Sequence, residues 1–565
     1  MTTTVTGSWR ATAAVLRAAG VRTVFGLPGD DMDALEAIAD AGIRFVLCRD
    51  QRNAVFMATG YAMQSGDLGV ALIGKGPAVT NALTGLLEAS GSSAPVLLLS
   101  AGTAIERRGS GAFQELDQQA VVAPLVRWAA RVDHPDRLVP LLRRAELVAR
   151  TNHGPVYVEL PDHLLKAEIP MPGSTRVELE TPAGVTVPAE SPALRALLAA
   201  KRPILLVGGG MRHHNHDRLI ERVAEKFGAA LVCTASGRGT VDESSRLFCG
   251  LAGLYTPGAV ATLWAETDCV VTLGSKLEET ATFQWPDRIG ADVPVVQVNV
   301  EAAHLATDFG GPKVLADARA LLRTWIGFPG GDGGSAWATT VHSVHTALLA
   351  GRDEELRTLR AVPELHVAEV LAALEEVMPD NRILVQENGL QDMWSYRFPL
   401  YSCGTDGGSV VPSEQTSLGF GAAAAVGVKQ AAPNRPVVAF VGDGAFGLFA
   451  VDLPTALAQG AGILYVVLRN GGYGWLQAQL DQRDRTLPGY AFVDPAAVSW
   501  EAPSLFGLRQ VTLAGKATLM TDVTEAWKLA EAGHVVVLNV PARLTDAMFG
   551  GAAAGGDFPV AGQGD

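Results

Sequence analysis

Short apolar runs alternate with stretches of helical periodicity along most of the chain. Val70 to Ile73, Pro203 to Val207 and Val437 to Val441 are examples of such runs, and a glycine follows each of them. Short buried strands joined through helices are typical of parallel sheets with helices on both faces. The pattern therefore predicts an α/β fold class built from doubly wound parallel sheets.

Breaks in this alternation divide the chain into three such domains. The stretch 166–190 is rich in proline, which suits a linker, and 331–360 is glycine-rich and then helical, which suits a connector. Residues 546–565 are rich in glycine and alanine, and we expect them to form a flexible tail. The predicted parallel-sheet domains are residues 1–165, 191–330 and 361–545.

The composition narrows the class of partner. The chain has 565 residues, of which 48% are hydrophobic, and its formal net charge is −14. Because no block of lysine and arginine appears, we expect neither nucleic acid nor an anionic membrane surface as a partner. The five cysteines form no C-x-x-C pair, so neither a disulfide framework nor a zinc site is expected. No apolar run reaches membrane-spanning length, and Arg10 and Arg17 interrupt the first one, so we expect a cytoplasmic protein.

One βαβ unit in the last domain carries the candidate chemistry. Its predicted strands end in the turns Gly442 to Gly444 and Asn470 to Gly472, and helical spacing between them runs from Phe449 to Ala458. Both turns should lie at the carboxyl edge of a parallel sheet, where ligands bind. The carboxylate of Asp443 and the amide oxygen of Asn470 are hard ligands suited to Mg²⁺, and the helix would favour a diphosphate. Either turn alone could be structural, but the two together favour a metal site.

This unit resembles the diphosphate-binding motif of thiamine diphosphate (ThDP) enzymes, in which GDG is followed one βαβ unit later by NN. The first Asn of that pair is replaced here by Arg469, and the second is retained as Asn470. The resemblance implies that Asp443, Asn470 and the backbone carbonyl of Gly472 hold Mg²⁺ and, through it, the diphosphate of the cofactor.

The other domains carry further parts of the resemblance. The phrases VFGLPGD, GPAVTNALTGLLEA, PVLLLSAG and GPVYVELP, in this order, resemble the pyrimidine-binding domain of the acetolactate synthase-like ThDP enzymes. The middle of the chain resembles the central domain, which binds FAD or a nucleotide in some members. FAD therefore stays open as a cofactor, but a glycine-ended strand needs no ligand, so a central domain without FAD is favoured. The further positions that the resemblance assigns to cofactor binding are Pro28, Gly29, Gly76, Pro77, Asn81, Glu387, Asn388, Gly389, Leu418, Gly442, Gly444, Ala445 and Tyr473.

One catalytic position departs from the family. A Glu in a phrase like R-H-E-x-x-A-x-F normally serves as the acid at the far ring nitrogen of the pyrimidine, and alignment on Ala54 and Phe56 places Gln51 there. A carboxamide can hydrogen-bond to the ring but does not titrate, so activation should be slower by about 10²–10⁴-fold. The chain could be active with Gln51, as the resemblance to glyoxylate carboligase suggests; it could be an inactive homologue; or Asp50, expected on a strand-to-turn segment, could reach the ring.

Other site positions bear on the reaction. Asp30 matches the acid of pyruvate decarboxylase-like enzymes and could relay a proton, although an Asp before a helix can equally be an N-cap. The paired histidines of those decarboxylases fall at Phe113 and Gln114, and their late glutamate falls at Leu476. Simple decarboxylation to an aldehyde is therefore disfavoured. Gln114 instead matches the glutamine of acetolactate synthase-like enzymes, and a dry pocket with Phe113, Leu476 and Trp475 would protect the reacting group.

The resemblance thus implies a ThDP- and Mg²⁺-dependent carbon–carbon lyase/ligase. We expect it to decarboxylate a 2-oxo acid and to transfer the acyl-anion unit to a carbonyl acceptor. Cleavage of an acyloin or β-diketone, and a ThDP-binding homologue without turnover, are the alternatives. The family's architecture implies a homodimer or homotetramer with each site at a subunit interface.

Overall fold

The computed structural model describes residues 4–29, 32–172, 191–330, 335–485, 487, 505, 507–543 and 546. Within this part of the chain the main strands form three six-stranded sheets, and all neighbouring strands in them are parallel. The predicted fold class is therefore confirmed. Among the described residues, no helix is both long enough and apolar enough to cross a bilayer.

The first sheet has the strand order β3-β2-β4-β5-β7-β6, with β1 and β8 forming a separate antiparallel pair. The strands of this domain are β1 (Thr4–Gly7), β2 (Thr23–Leu27), β3 (Arg44–Leu47), β4 (Gly69–Ile73), β5 (Val96–Gly102), β6 (Trp128–Arg131), β7 (Val156–Pro161) and β8 (Glu168–Met171). Its helices are α1 (Ser8–Ala18), α2 (Met32–Asp40), α3 (Gln51–Ser65), α4 (Pro77–Gly91), α5 (Gln118–Val122) and α6 (Leu138–Thr151). The start of the predicted linker thus carries β8, and residues 173–190 lie outside the described residues.

The second sheet has the order β11-β10-β9-β12-β13-β14. Successive strands are added on one side of β9 up to β11 and on its other side from β12 onward, while all strands stay parallel. Its strands are β9 (Pro203–Val207), β10 (Ala230–Cys233), β11 (Phe248–Leu251), β12 (Cys269–Leu273), β13 (Val295–Asn299) and β14 (Lys313–Leu315). The helices are α7 (Pro192–Ala199), α8 (Leu219–Phe227), α9 (Ala261–Glu266), α10 (Glu279–Thr282), α11 (Trp285–Arg288) and α12 (Ala318–Trp325). The glycine turn after β9 packs closely on the turn after β12, since a Cβ at Gly210 would lie 3.0 Å from the carbonyl oxygen of Gly274.

The third sheet has the order β16-β15-β17-β18-β20-β19. Its strands are β15 (Ile383–Gln386), β16 (Ser409–Val410), β17 (Val437–Gly442), β18 (Ile463–Arg469), β19 (Arg509–Thr512) and β20 (Val535–Pro541). The helices from the predicted connector onward are α13 (Ser335–Ala361), α14 (Val367–Val377), α15 (Phe420–Ala431), α16 (Asp443–Phe449), α17 (Leu453–Ala458), α18 (Gly474–Gln482) and α19 (Leu519–Glu531). Of the predicted flexible tail, only Asp546 lies within the described residues. The predicted domain limits stay a prediction.

The helix predicted over Phe449 to Ala458 differs in the structure. Helix α16 begins at Asp443, directly after the turn, and a 3-10 turn ending at Asp452 separates it from α17. The buried Asp452 carboxylate accepts hydrogen bonds from the Arg49 N–H and the Asn53 side chain, both at 2.8 Å. The helix is therefore interrupted where a side chain ties the third domain to the first, which helical periodicity does not reveal.

Candidate active site

The two predicted turns of the third sheet meet at one edge. Strands β17 and β18 are adjacent and parallel, with Gly442 opposite Leu468, so both turns leave the sheet on the same side. Asp443 Oδ2 accepts a hydrogen bond from the Gly471 N–H at 3.0 Å. The structure thus brings together the turns that carry the predicted metal ligands.

The environment of the Asp443 carboxylate is suited to binding a cation. Its side chain is 6% exposed, and in the described part of the chain its buried Oδ1 has no hydrogen-bond partner. Burial raises the pKa of this carboxyl, while the Gly471 N–H, the charge of Arg469 and the N–H groups of Gly444 and Asn470 oppose the rise. A buried, unpaired carboxylate oxygen costs free energy, which a divalent cation would offset. Together with the Asn470 amide oxygen and the Gly472 carbonyl it offers the hard oxygen set that Mg²⁺ requires.

Close packing explains the glycines and the aromatic residue of these turns. A Cβ at Gly444 would lie 2.7 Å from the Tyr473 ring, so the second turn covers the first only because position 444 lacks a side chain. Within the second turn, the Gly472 N–H donates to Asn470 Oδ1 at 3.0 Å. Ala445 follows in the first turn of α16 and is buried. These predicted cofactor-binding positions therefore form one compact surface.

The amide of Asn470 is oriented by a residue that the sequence prediction did not assign to the site. Gln391 Oε1 accepts from Asn470 Nδ2 at 2.8 Å, and Gln391 Nε2 donates to the Arg543 carbonyl at 3.0 Å. Gln391 binds the amino group of Asn470, so the Oδ1 atom of Asn470 faces the turn that carries the predicted metal ligands. The available sequence signal for Gln391 was its position, two residues after the predicted cofactor-binding Gly389.

A second unassigned residue, Asp392, lies beneath the first turn. Its Oδ2 accepts from the Gly442 N–H at 3.1 Å, and its side chain is 2% exposed. Burial raises the pKa of Asp392 to about 7, with the Gly442 N–H opposing and the charge of Asp443 adding to the rise. A Cβ at Gly389 would lie 2.6 Å from Asp392 Oδ2, so this predicted glycine is needed for the contact. The available sequence signal for Asp392 was its position, three residues after the predicted cofactor-binding Gly389.

The remaining diphosphate-side positions pack against this loop. Glu387 is buried, its Oε2 accepts from the Gly421 N–H at 2.9 Å, and burial raises its pKa well above the ordinary value. Asn388 Oδ1 accepts from the Tyr396 hydroxyl at 2.6 Å. Leu418 is half-buried just before α15, where the adjacent Gly419 has a φ of +92°.

On the first sheet, the predicted pyrimidine-side turns also converge. Pro28 and Gly29 follow β2, and a Cβ at Gly29 would lie 3.8 Å from the Cα of Gly74, at the end of β4. Gly76 caps α4, with Pro77 as its first residue, and Asp30 lies outside the described residues.

Gln114 lies against the turn at Gly76. It has a left-handed φ of +56°, and a Cβ at Gly76 would lie 2.6 Å from its carbonyl oxygen. The Gly76 N–H donates to Oε1 of Gln118, a buried residue that the sequence prediction missed, at 2.6 Å. Phe113 and Leu476, both expected in a dry pocket, are 74% and 45% exposed in the single chain.

Gln51 is the first residue of α3, whereas Asp50 is its N-cap. Asp50 has extended backbone between β3 and α3, as expected for a residue that leaves a strand, whereas Gln51 already lies in the helix. Asp50 Oδ1 accepts from the Asn53 N–H at 3.1 Å, which ties Asp50 to the helix start. Asn81, from α4, donates through Nδ2 to Gln51 Oε1 at 2.7 Å.

The site residues thus form two groups. The hydrogen bonds described above join Gln51 to Asn81 on the pyrimidine side and Asp443 and Asn470 to their neighbours on the diphosphate side. None of these bonds joins one group to the other.

Each of the three domains contains a segment that matches a known protein family. "Thiamine pyrophosphate enzyme, N-terminal TPP binding domain" matches residues 9–121, the corresponding central domain matches 191–324, and the C-terminal TPP binding domain matches 387–538. The predicted resemblance is confirmed, and each matched segment contains strands of a different sheet.

Individual relatives agree with the family. An acetolactate synthase large subunit of Lactococcus lactis is 27% identical over 90% of this chain and 88% of the relative. A probable 2-ketoarginine decarboxylase of Pseudomonas aeruginosa is 30% identical over 80% of this chain and 79% of its own length. The solved structure of a Rhodococcus jostii ThDP-dependent 4-hydroxybenzoylformate decarboxylase shares the fold, with a TM-score of 0.79, 20% identity, and coverage of 95% and 99%. With three domains matched in order and relatives aligned over most of their length, this chain belongs to the acetolactate synthase-like family of thiamine diphosphate-dependent enzymes.

Proposed function

We propose that this enzyme binds ThDP through Mg²⁺, decarboxylates a 2-oxo acid and transfers the acyl unit to a carbonyl acceptor. The observation that carries the proposal is the buried Oδ1 of Asp443, which has no hydrogen-bond partner among the described residues and lies beside the turn that holds Asn470. When bound, ThDP supplies a thiazolium carbon that adds to the carbonyl of the 2-oxo acid and accommodates the electron pair released with CO₂.

The chain's own residues have distinct roles in this proposal. Asp443, Asn470 and the Gly472 carbonyl hold Mg²⁺, and Gln391 keeps the Asn470 oxygen toward the ion. Gln51 provides a hydrogen bond to the pyrimidine at the position where the family has a proton-transferring Glu. Asp30, which follows Gly29 in the sequence and lies outside the described residues, is the candidate proton relay.

Carboligation is favoured by what stands at the positions of the decarboxylase acids. Phe113, Gln114 and Leu476 have no group that titrates near neutral pH, so the protonation that ends in an aldehyde lacks its usual donors. The acetolactate synthase relatives support the same conclusion. Decarboxylation alone is the second candidate, because a relative at 30% identity bears a decarboxylase name. We propose that the central domain binds no FAD, because the close packing of Gly210 on Gly274 explains why these positions are glycine without a ligand.

The proposal includes a homodimer or homotetramer whose partner subunit completes each site. Its support is that Phe113 and Leu476, which should line the substrate pocket, are both exposed in the single chain. Burial of large apolar side chains of this kind is a usual source of interface stability.

The reaction can be tested on the full-length protein with ThDP, Mg²⁺ and a panel of 2-oxo acids, each offered with aldehyde and oxo-acid acceptors. We expect CO₂ release coupled to a new 2-hydroxy ketone or 2-hydroxy-2-alkyl-3-oxo acid, detected by mass spectrometry. Release of CO₂ with aldehyde alone would establish the second candidate. ThDP uptake without CO₂ release would leave acyloin or β-diketone cleavage, tested with those substrates, or a homologue without turnover.

Cofactor binding has its own test in Asp443→Ala. We expect the Kd for ThDP in the presence of Mg²⁺ to rise by about 100-fold or more, since loss even of a residue that only supports a metal ligand typically costs about 10–100-fold. Isothermal titration calorimetry measures the change, and Asp33→Ala, an exposed position in α2, is the matched control. Unchanged ThDP affinity in Asp443→Ala would contradict the proposed metal site.

A further inference from the structure

Three polar side chains meet where α3 begins. Asn81 Nδ2 lies 2.7 Å from Gln51 Oε1 and 3.4 Å from Asp50 Oδ2, so one amino group faces both acceptors. The other oxygen of Asp50, Oδ1, caps α3 through the Asn53 N–H at 3.1 Å. Asp50 is thus held by the backbone of its own helix, and Asn81 bridges it to Gln51.

The chemistry of this bridge determines which end of each amide faces which neighbour. A carboxylate oxygen only accepts hydrogen bonds, so Asp50 requires the amino end of Asn81 rather than its oxygen. With that amino group turned to the shared space, Gln51 has to present its oxygen to it. The amino group of Gln51, Nε2, is consequently directed away from Asn81, and among the described residues it donates no hydrogen bond.

We propose that Asp50 and Asn81 are positioning residues that orient the Gln51 carboxamide as a hydrogen-bond donor to the pyrimidine ring nitrogen of ThDP. This inference rests on the proposed function. In the opposite orientation Gln51 Oε1 would face the lone pair of the ring nitrogen, and two acceptors would repel each other. Because the Gln51 carboxamide does not titrate, it donates to the ring nitrogen only while its amino group is held toward the ring. Asp50, acting through Asn81, fixes the amide in that orientation.

The orientation can be measured by comparing ThDP with an analogue in which that ring nitrogen is replaced by C–H. The analogue lacks the acceptor, so the wild-type protein should bind it about 10-fold more weakly than ThDP, the usual value of one hydrogen bond. Asn81→Asp replaces the donor with an acceptor, which should turn the Gln51 amide around. We expect this variant to bind the analogue as well as ThDP or better. Titration calorimetry with Mg²⁺ gives both Kd values without any turnover.

Two further variants keep the test decisive. Asn81→Asp places a carboxylate beside Asp50, so Asn81→Ala, which removes the bridge without adding charge, is measured alongside it and should reduce the preference to about 3-fold or less. Thr84→Ala, at an exposed position one turn further along α4, should keep the full preference.

The outcomes separate this inference from the proposed function. Failure of the wild-type protein to bind ThDP at all would overturn the proposed function. Wild-type binding of both compounds with equal affinity would overturn the donor role of Gln51 alone. An unchanged preference in Asn81→Ala and Asn81→Asp would show that Asn81 does not set the amide orientation, and would overturn the inference while leaving cofactor binding intact.

Discussion

At the scale of single residues, the diphosphate-side site combines three buried acids within one small region. Within the described part of the chain one oxygen of Asp443 has no hydrogen-bond partner, Asp392 lies under the turn that carries Asp443, and Glu387 anchors the neighbouring loop to Gly421. Burial raises the pKa of all three carboxyls. Without a cation this arrangement should be costly at high pH, because ionised groups are then held together out of water.

Asp392 makes that cost measurable in the protein without cofactor. Its folded-state pKa, raised to about 7, lies above the ordinary value of 3.8. Its contribution to stability is therefore fully present below about pH 4 and is lost as the pH rises through 7. Asp392→Asn should remove this loss, so its stability relative to wild type should increase by about 2 kcal/mol between pH 5 and pH 8.

Urea unfolding at both pH values measures this difference. Asp380→Asn, an exposed acid, is the control and should show no such change. A variant whose stability relative to wild type is the same at pH 5 and pH 8 would show that Asp392 is already ionised in the folded protein at pH 5.

The second prediction at this scale concerns Gln51. Restoring the family's acid with Gln51→Glu should accelerate exchange of the thiazolium proton by about 10²-fold or more, since an acid can transfer a proton to the ring and an amide does not. Hydrogen–deuterium exchange of bound ThDP, followed by NMR after rapid quenching, gives the rate. Gln415→Glu makes the same chemical change at an exposed position and should leave the rate unchanged. Equal rates in wild type and Gln51→Glu would contradict the alignment that places Gln51 at the catalytic position.

At the scale of elements, the packing of α3 on α15 joins the first and third domains. The two helices approach so closely that glycines lie at the crossing: a Cβ at Gly60 would be 2.5 Å from the Ala424 carbonyl oxygen, and one at Gly427 would clash with that of Met57. Helix α3 begins at Gln51, so this crossing positions the pyrimidine side of the site relative to the third sheet. The small residues of α15 are therefore required by backbone contact rather than by helix propensity.

Gly427→Ala should separate these helices and destabilise the protein by about 2 kcal/mol, because the clash is with backbone that has no room to move. The matched control is Gly351→Ala in α13, where a Cβ meets nothing within 4 Å. That change should stabilise by about 0.5–1 kcal/mol, as alanine is the better helix former. Urea denaturation of both variants measures the two effects, and a neutral Gly427→Ala would contradict the close crossing.

At the scale of the whole molecule, large apolar side chains remain exposed across the seam between the first and third domains. Leu47, on the edge strand β3, is 57% exposed, and Val451, between α16 and α17, is 54% exposed. The segments that carry them are joined, because the Thr455 hydroxyl, four residues after Val451, donates to the Leu47 carbonyl at 3.0 Å. An apolar surface at this position, beside the start of α3, which carries Gln51, suits the subunit interface that the proposed function requires.

The double variant Leu47→Asp with Val451→Asp should weaken that interface by about 100-fold, since charges buried against an apolar partner are costly. Sedimentation velocity at micromolar concentration should then show monomers, and ThDP affinity should fall with the loss of the partner. Leu315→Asp, a 61% exposed position on the edge strand β14, should leave the oligomer intact. A wild-type protein that sediments as a monomer would overturn the proposed interface.

Much of the fold could be read from the chain because strand and turn signals are local. The apolar runs predicted β4, β9 and β17, with bounds that differ from the structure by at most one residue. The turns holding Asp443 and Asn470 were then placed at one sheet edge by the rule for parallel strands. Short strands such as β16 and β19 were not predicted, since two to four residues give too little periodicity.

The sequence by itself determined the layered α/β architecture, the family, and which oxygen donors are available for a metal ion. Only the tertiary structure decided that Gln391 orients Asn470, that Asp392 supports the first turn, and that Asn81 turns the amide of Gln51. The physical reason is that periodicity records whether a residue is buried in its own strand or helix. It does not record which loop, distant in the chain, will supply the partner of a side chain, and the direction of a hydrogen bond depends on that partner.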